Sequence, residues 1–212
     1  SIVDSHGPSV GNVYDAMGRL LQRTVSAGGV HQVTSYVYDD HDRLVAMTDA
    51  MNRTTTFQYD PEHLIDKPVS ITDPANRSTY FEYDKRHRLV KKTDANGAIT
   101  RFTHDQRNNL TSVTDSLGNI TRYEYDLNDR KIREVRPSVA GTSAVERVQL
   151  YFYDGADRLV REVIKSVSGG ADRATTYEYD QLDRLVRNIV GTEAPFSSLT
   201  EKLIGMVKGK SR

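Results

Sequence analysis

Aspartate directly after tyrosine is the residue pair of this chain on which chemistry could be built. It occurs at Tyr14-Asp15, Tyr38-Asp39, Tyr59-Asp60, Tyr83-Asp84, Tyr125-Asp126, Tyr153-Asp154 and Tyr179-Asp180, with His104-Asp105 in its place once. Carboxylates beside phenols could hold a hard cation, because calcium takes clustered oxygen ligands. The spacing argues against it. These aspartates recur about every 21 to 28 residues, and Asp94-Ala95-Asn96-Gly97 lacks the ligand order of an EF-hand loop. Aspartate in a turn accepts hydrogen bonds from nearby backbone amides, and that structural role is the reading taken here, with no metal and no cofactor expected.

Other candidate groups are equally dispersed. Histidines stand at 6, 31, 41, 63, 87 and 104, none paired at the helical spacing of a zinc site. No Gly-x-Ser-x-Gly elbow and no phosphate-binding glycine loop occurs. No carboxylate pair stands out from the repetition as a glycosidase would need. The chain is therefore expected not to be an enzyme. Four Asn-x-Ser/Thr sequons lie at Asn52, Asn76, Asn109 and Asn119, three of them at turns that the repetition requires anyway.

The elements that carry these residues are read from their periodicity. The Tyr-Asp pairs begin at 14, 38, 59, 83, 104, 125, 153 and 179. A second marker, Thr-Asp, places aspartates at Asp49, Asp73, Asp94 and Asp115, and from each to the next Tyr or His is 10 residues. The return distance is 10 as well, except 13 from Asp60 to Asp73, where Pro61 and Pro68 flank Glu62 to Lys67 and an inserted loop is expected. Segments such as Arg88-Leu89-Val90-Lys91-Lys92-Thr93 and Thr121-Arg122-Tyr123-Glu124-Tyr125 read as strands, the second strictly alternating. Asn and Gly in Asp94-Ala95-Asn96-Gly97 and Asp115-Ser116-Leu117-Gly118-Asn119 supply positive φ for tight turns. Each repeat is thus a β-hairpin, with longer tips expected at Ser26 to Gln32, Pro137 to Glu146 and Ser166 to Arg173.

Aromatic residues stand two apart in Tyr36/Tyr38, Phe57/Tyr59, Phe81/Tyr83, Tyr123/Tyr125, Tyr151/Tyr153 and Tyr177/Tyr179, so each pair projects from one strand face. That face is expected to be the covered one. One hairpin is marginal in isolation, so the repeats must stabilise each other by stacking. The fold class expected is all-β: tandem antiparallel hairpins, roughly sixteen strands, forming a curved, spiralling sheet over residues 1–190.

Composition agrees with a thin array. The 212 residues hold 29 Lys and Arg against 29 Asp and Glu, and only 37% are hydrophobic, too little for one thick core and unlike the basic footprint of a nucleic-acid binder. There is no cysteine, hence no disulfide staple. No apolar run is long enough to span a membrane as a helix, and Ser1 to Gly11 has no signal-peptide character.

The pattern Tyr-Asp-x-x-x-Arg-Leu-Val in Tyr83 to Val90 and Tyr153 to Val160, with Thr-Asp-x-x-Gly-Asn-x-Thr in Thr114 to Thr121, resembles the Rhs or YD-repeat family. That family comprises bacterial Rhs polymorphic toxins, insecticidal toxin complex C components, wall-associated toxins and animal teneurins. The resemblance covers about Ile2 to Val190. It implies a hollow β-shell that closes around a C-terminal toxic polypeptide, in a secreted or cell-surface protein. The implied partners are the remainder of a larger Rhs-type protein and the enclosed toxin domain; glycans bound by exposed tyrosines are the alternative, as in an adhesion module. The family's self-cleavage motif, of Asp-Pro-x-Gly-Leu type, is not matched: Asp73-Pro74-Ala75-Asn76-Arg77 lacks the Gly-Leu. The chain begins in mid-repeat, since Val3-Asp4-Ser5-His6-Gly7 parallels Thr114 to Gly118, and is expected to be a piece of a longer protein. Residues 191–212 depart from the pattern. There Ser198-Leu199-Thr200-Glu201 is a capping box, with Leu199, Leu203, Ile204 and Val207 near one stripe of a short helix.

Overall fold

A computed structural model describes residues 9–61, 66–137, 146–166 and 169–193. The expected C-terminal helix and most of the tip at 137–146 lie outside these residues. Two compact units, 1–99 and 100–212, divide the chain. Among the described residues every regular element is a strand.

In the first unit the strands are β1 (Ser9–Tyr14), β2 (Leu20–Ala27), β3 (Val30–Tyr38), β4 (Leu44–Thr48), β5 (Thr54–Gln58), β6 (Ser70–Thr72), β7 (Ser78–Tyr83) and β8 (Leu89–Thr93). Each is hydrogen-bonded antiparallel to its neighbours in sequence. In the second, β9 (Ile99–His104), β10 (Leu110–Thr114), β11 (Ile120–Tyr125), β12 (Lys131–Arg136), β13 (Arg147–Tyr153), β14 (Leu159–Ile164), β15 (Asp172–Tyr179) and β16 (Leu185–Glu193) repeat the arrangement. The tandem antiparallel hairpins expected from the sequence are the fold.

One expectation needs correction. Ser26 to Gln32 is not a longer loop: β2 and β3 pair through Ala27↔Val30, and only Gly28-Gly29 turn, at φ 55° and 78°. A two-residue turn with both residues at positive φ matches the strand twist, and glycine adopts it without a Cβ clash. The extra length went into the strands.

The aromatic face is the covered one along β5, β7 and β9, where Phe57, Phe81, Tyr83, Phe102 and His104 are half-buried and alternate with exposed residues, and the second unit buries part of the opposite face as well. The buried aliphatic residues are Val135, Leu150 and Val163, and Leu150 pairs with Val163 while Val135 pairs with Val148. Leu150 precedes Tyr151, so strand alternation puts this aliphatic cluster on the side opposite Tyr151. The tyrosine side of these strands is covered too, in part by polar bridges. Glu134 is buried there, held by Lys131 (2.7 Å), Arg136 (2.5 Å) and the Tyr151 hydroxyl (3.2 Å), and the Tyr177 hydroxyl reaches Glu162 (3.1 Å). Both sides of the second unit are thus partly filled, aliphatic on one and aromatic with charge on the other.

Candidate functional site

Aspartate caps organise the turns. At Asp15, Asp39, Asp49, Asp73, Asp84, Asp94, Asp105, Asp115, Asp126, Asp154 and Asp180 the backbone amide donates to the carbonyl four residues on, and the amide three residues on donates back to the aspartate carbonyl. In each, Oδ1 accepts from the amides two and four residues on, at 2.8–3.0 Å. The third residue after the aspartate takes positive φ: Gly18, Gly97 and Gly118, but also Asp42, Asn52, Asn76, His87, Asn108, Asp129, Asp157 and Asp183. Short polar side chains tolerate that region better than others. Tyr-Asp and Thr-Asp therefore make the same turn. The residues that would close the corresponding turn after Asp60 lie outside the described residues.

Oδ2 takes a side chain four residues on: Arg in Arg19, Arg43, Arg53, Arg77, Arg88, Arg130, Arg158 and Arg184, Asn in Asn109 and Asn119. The guanidinium, then the amides, hold the carboxyls of Asp15, Asp49, Asp73 and Asp84 below their ordinary value, Asp84 at about 2. At Asp39, Asp105 and Asp126 burial pushes upward most strongly, and the combined amide and side-chain bonds outweigh it. Two sequon residues, Asn52 and Asn76, occupy the positive-φ position, whereas Asn109 and Asn119 brace the carboxylate.

What separates the two kinds of turn is a joint to the preceding repeat, which only the Tyr-Asp turns make. The tyrosine hydroxyl donates to a backbone carbonyl 15 to 22 residues earlier: Tyr38 to Leu20, Tyr59 to Leu44, Tyr83 to Pro68, Tyr125 to Leu110, Tyr153 to Lys131 and Tyr179 to Leu159, at 2.8–3.1 Å. Over four of these rings lies the arginine of the preceding cap: Arg19 on Tyr38, Arg43 on Tyr59, Arg130 on Tyr153 and Arg158 on Tyr179, 4.5–5.2 Å from the centroid. The same arginines reach on to the next cap, Arg19 to Asp42, Arg130 to Asp157 and Arg158 to Asp183, at 2.6–2.7 Å. A bulge completes the joint. In Tyr38↔Leu44 followed by Val37↔Ala46, Val45 has no opposite number, and Leu21, Val90, Thr111, Ile132, Val160 and Val186 are skipped likewise.

Sequence reasoning found the turns and missed the joint. The insertion hid part of it, because Lys67-Pro68 stands in for Arg-Leu: Lys67 Nζ lies 5.8 Å from the Tyr83 ring and donates to the His87 carbonyl, while the Pro68 carbonyl takes the Tyr83 hydroxyl. At His104 the hydroxyl is lost, and the buried Nδ1 has no hydrogen-bond partner among the described residues. The other histidines among the described residues do not converge: His31 bonds Ser26 (2.6 Å), His41 lies within a cap and His87 sits at positive φ. No group of three or more metal-ligating side chains forms among the described residues. A groove of about 790 Å³ in the first unit is lined by Tyr59, Phe81, Tyr83, Asp60, Glu82 and neighbours.

These features define a tandem β-hairpin repeat protein whose distinctive device is a tyrosine-locked joint between repeats. The RHS Repeat family model matches residues 38–78, 65–99, 83–120 and 104–138. The chain belongs to that family, and the same motif continues on either side at Tyr14-Asp15, Tyr153-Asp154 and Tyr179-Asp180. Its fold is that of chains in a crystal structure of TcdB2-TccC3 with Cdc42 (TM-score 0.68, 15% identity, 87% of this chain covered) and in a Tc holotoxin pore from Photorhabdus luminescens (TM-score 0.65, 15% identity, 82% covered). The chain spans 11% of the length of each of those chains. No curated relative matches the sequence.

Proposed function

We propose that this chain is a segment of the wall of an Rhs-type shell, a non-catalytic scaffold that helps enclose a toxin polypeptide within a larger exported protein. The observation that carries this reading is the joint. Six Tyr-Asp turns are each fastened to an earlier repeat, so repeats can be added without limit while each contacts only its neighbours. Such a wall needs no thick core, which suits a chain with 37% hydrophobic residues. No helix among the described residues is long and apolar enough to cross a membrane.

The test is protease protection of the polypeptide encoded by the whole gene that contains this segment. Enclosure predicts that a C-terminal segment resists added protease until the wall is unfolded in urea. Cleavage of that segment at the same rate in the native protein would refute it.

A second reading, glycan binding, is favoured by one feature: the groove in the first unit presents Tyr59, Phe81 and Tyr83 beside the carboxylates of Asp60 and Glu82. Rings that stack on sugar faces and carboxylates that accept hydroxyl protons are the chemistry such a ligand uses. A glycan array probed with the wild-type chain and with Phe81→Ala tests it, and the absence of any Phe81-dependent binding ends it.

A further inference from the structure

The four Asn-x-Ser/Thr sequons are alike in sequence, and the fold treats them in two ways. Asn52 and Asn76 stand third after the cap aspartates Asp49 and Asp73, at φ 58° and 59°. Both are exposed, as are Met51 and Arg53 beside the first and Ala75 and Arg77 beside the second. Each cap uses only the backbone of its asparagine, whose amide donates to the aspartate carbonyl at 3.0 Å and 2.9 Å. The side-chain amide of neither is hydrogen-bonded among the described residues.

Asn109 and Asn119 stand fourth after their aspartates and are half-buried. Asn109 Nδ2 donates to Asp105 Oδ2 (3.1 Å) and to Asp129 Oδ1 (2.6 Å), and Asn119 Nδ2 donates to Asp115 Oδ2 (2.8 Å). A side-chain amide has two N–H donors, and a sugar attached to Nδ2 replaces one of them. Asn109 already uses both, and Asn119 holds its nitrogen against a carboxylate. The hydroxyls two residues on divide the same way. Thr54 and Ser78 form the first ladder pairs of their hairpins, opposite Thr48 and Thr72, and end pairs open at little cost. Thr111 is the bulged residue of β10 and bonds Thr103 (2.8 Å), while Thr121 lies one pair further in, opposite Val113.

We propose that Asn52 and Asn76 are modification sites that accept an N-linked hexose from a nucleoside diphosphate sugar, and that the fold withholds the same reaction from Asn109 and Asn119. In the transfer, Nδ2 bonds to the anomeric carbon of the sugar. The bond from that carbon to the diphosphate oxygen breaks, and the diphosphate leaves with the electron pair. The amide proton passes to a base of the transferase, which reads the hydroxyl two residues on. The turn survives the addition, because Asp49 Oδ1 accepts from the amides of Met51 and Arg53, and Asp73 Oδ1 from those of Ala75 and Arg77; none of these bonds involves Nδ2. Strands β4 to β7 pair in sequence order, so the two acceptors lie on one edge of the first unit, two strand spacings or about 10 Å apart. A transferase meets both from the same side.

The test uses a soluble transferase that adds hexose to Asn-x-Ser/Thr and that accepts synthetic peptides of all four sequons, so that sequence alone gives no selection. With the folded 212-residue chain as acceptor, intact mass is expected to rise by two hexoses, mapped to Asn52 and Asn76, with strand circular dichroism unchanged. Thr54→Ala and Ser78→Ala each remove a sequon and keep the turn asparagine; each should lower the gain to one hexose and the double variant to none. Thr54→Ser keeps the motif and should keep both. Peptide mapping of the wild-type chain carries the test if a variant fails to fold. Failure of either Asn52 or Asn76 to take hexose, or modification of Asn109 or Asn119 as fast as these two, would overturn the proposal.

Discussion

The hydroxyl of Tyr59 donates to the Leu44 carbonyl at 2.9 Å in a half-buried setting, and Arg43 stacks on the ring at 4.5 Å. Tyr59→Phe removes the hydrogen bond and leaves the ring and the arginine in place. A net loss of about 1 kcal/mol follows, from a usual range of about 0.5–1.5 for one intramolecular bond, with the Leu44 carbonyl left to find water. Tyr59→Leu also removes the cation–π contact, worth a further ~0.5–1 kcal/mol, so it costs roughly twice as much. A global melt would blur this, because repeat arrays need not unfold in one step. Amide exchange of β4 and β5 reads it locally: Tyr59→Phe should speed exchange about five-fold where opening limits it. Tyr80→Phe is the control, since that ring is 54% exposed and lies outside every joint; its effect should stay within ~0.5 kcal/mol. Equal effects from Tyr59→Phe and Tyr80→Phe would refute the idea that the tyrosine hydroxyl locks one repeat to the last.

Acid should loosen the caps in a defined window. Asp84 titrates at about 2 in the folded chain against an ordinary 3.8, so its stabilisation is fully present above pH ~4 and is lost as pH falls towards 2; strand circular dichroism during an acid titration checks this, and loss centred above pH 5 would contradict it. His87 stands at φ 59° and lends the joint only its backbone carbonyl, so His87→Gly should stabilise by ~0.5–1 kcal/mol in amide exchange of β7 and β8. Val163 is fully buried between Leu150 and Ala174; Val163→Ala should cost about 2 kcal/mol in urea unfolding, and Val186→Ala, at an exposed bulge, less than ~0.5. A peptide of residues 84–105 alone should show a disordered far-UV spectrum, because it keeps its turns and loses every joint to a neighbour.

Turns were legible in the sequence because their chemistry is local. Asp115 to Asn119 announces an aspartate cap, a positive-φ glycine and a bracing asparagine within five residues. The joint was not legible in the same way. Its acceptor is a backbone carbonyl, so the leucine that supplies it to Tyr38, Tyr59, Tyr125 and Tyr179 gives way to Pro68 and Lys131 without loss of the bond, and the side chain at that position does not disclose the contact. The bulge at Val45 or Val160 leaves no compositional trace beyond the Arg-Leu-Val string itself. Strand alternation named the aromatic face but could not say that Leu150 and Val163, on the opposite face, would be the more buried residues.

The joint also explains which drift the array tolerates. Where Asn109 replaces the arginine, its amide still braces Asp105 and reaches Asp129 at 2.6 Å, and Arg107, two residues earlier, donates to the Asp126 and Leu127 carbonyls of the next cap. Where Lys131 replaces leucine, the accepting carbonyl is unchanged, and the freed ammonium turns to the buried Glu134. In the inserted repeat Lys67-Pro68 supplies a cation over Tyr83 and a carbonyl for its hydroxyl. Selection on such an array acts on three functions, a cation over the ring, a carbonyl at its tip and a carboxylate in the turn, and several residues can serve the first two. The aspartate alone combines the two amide acceptors with a brace for the fourth residue, which is why it stands in every cap while the residues around it vary.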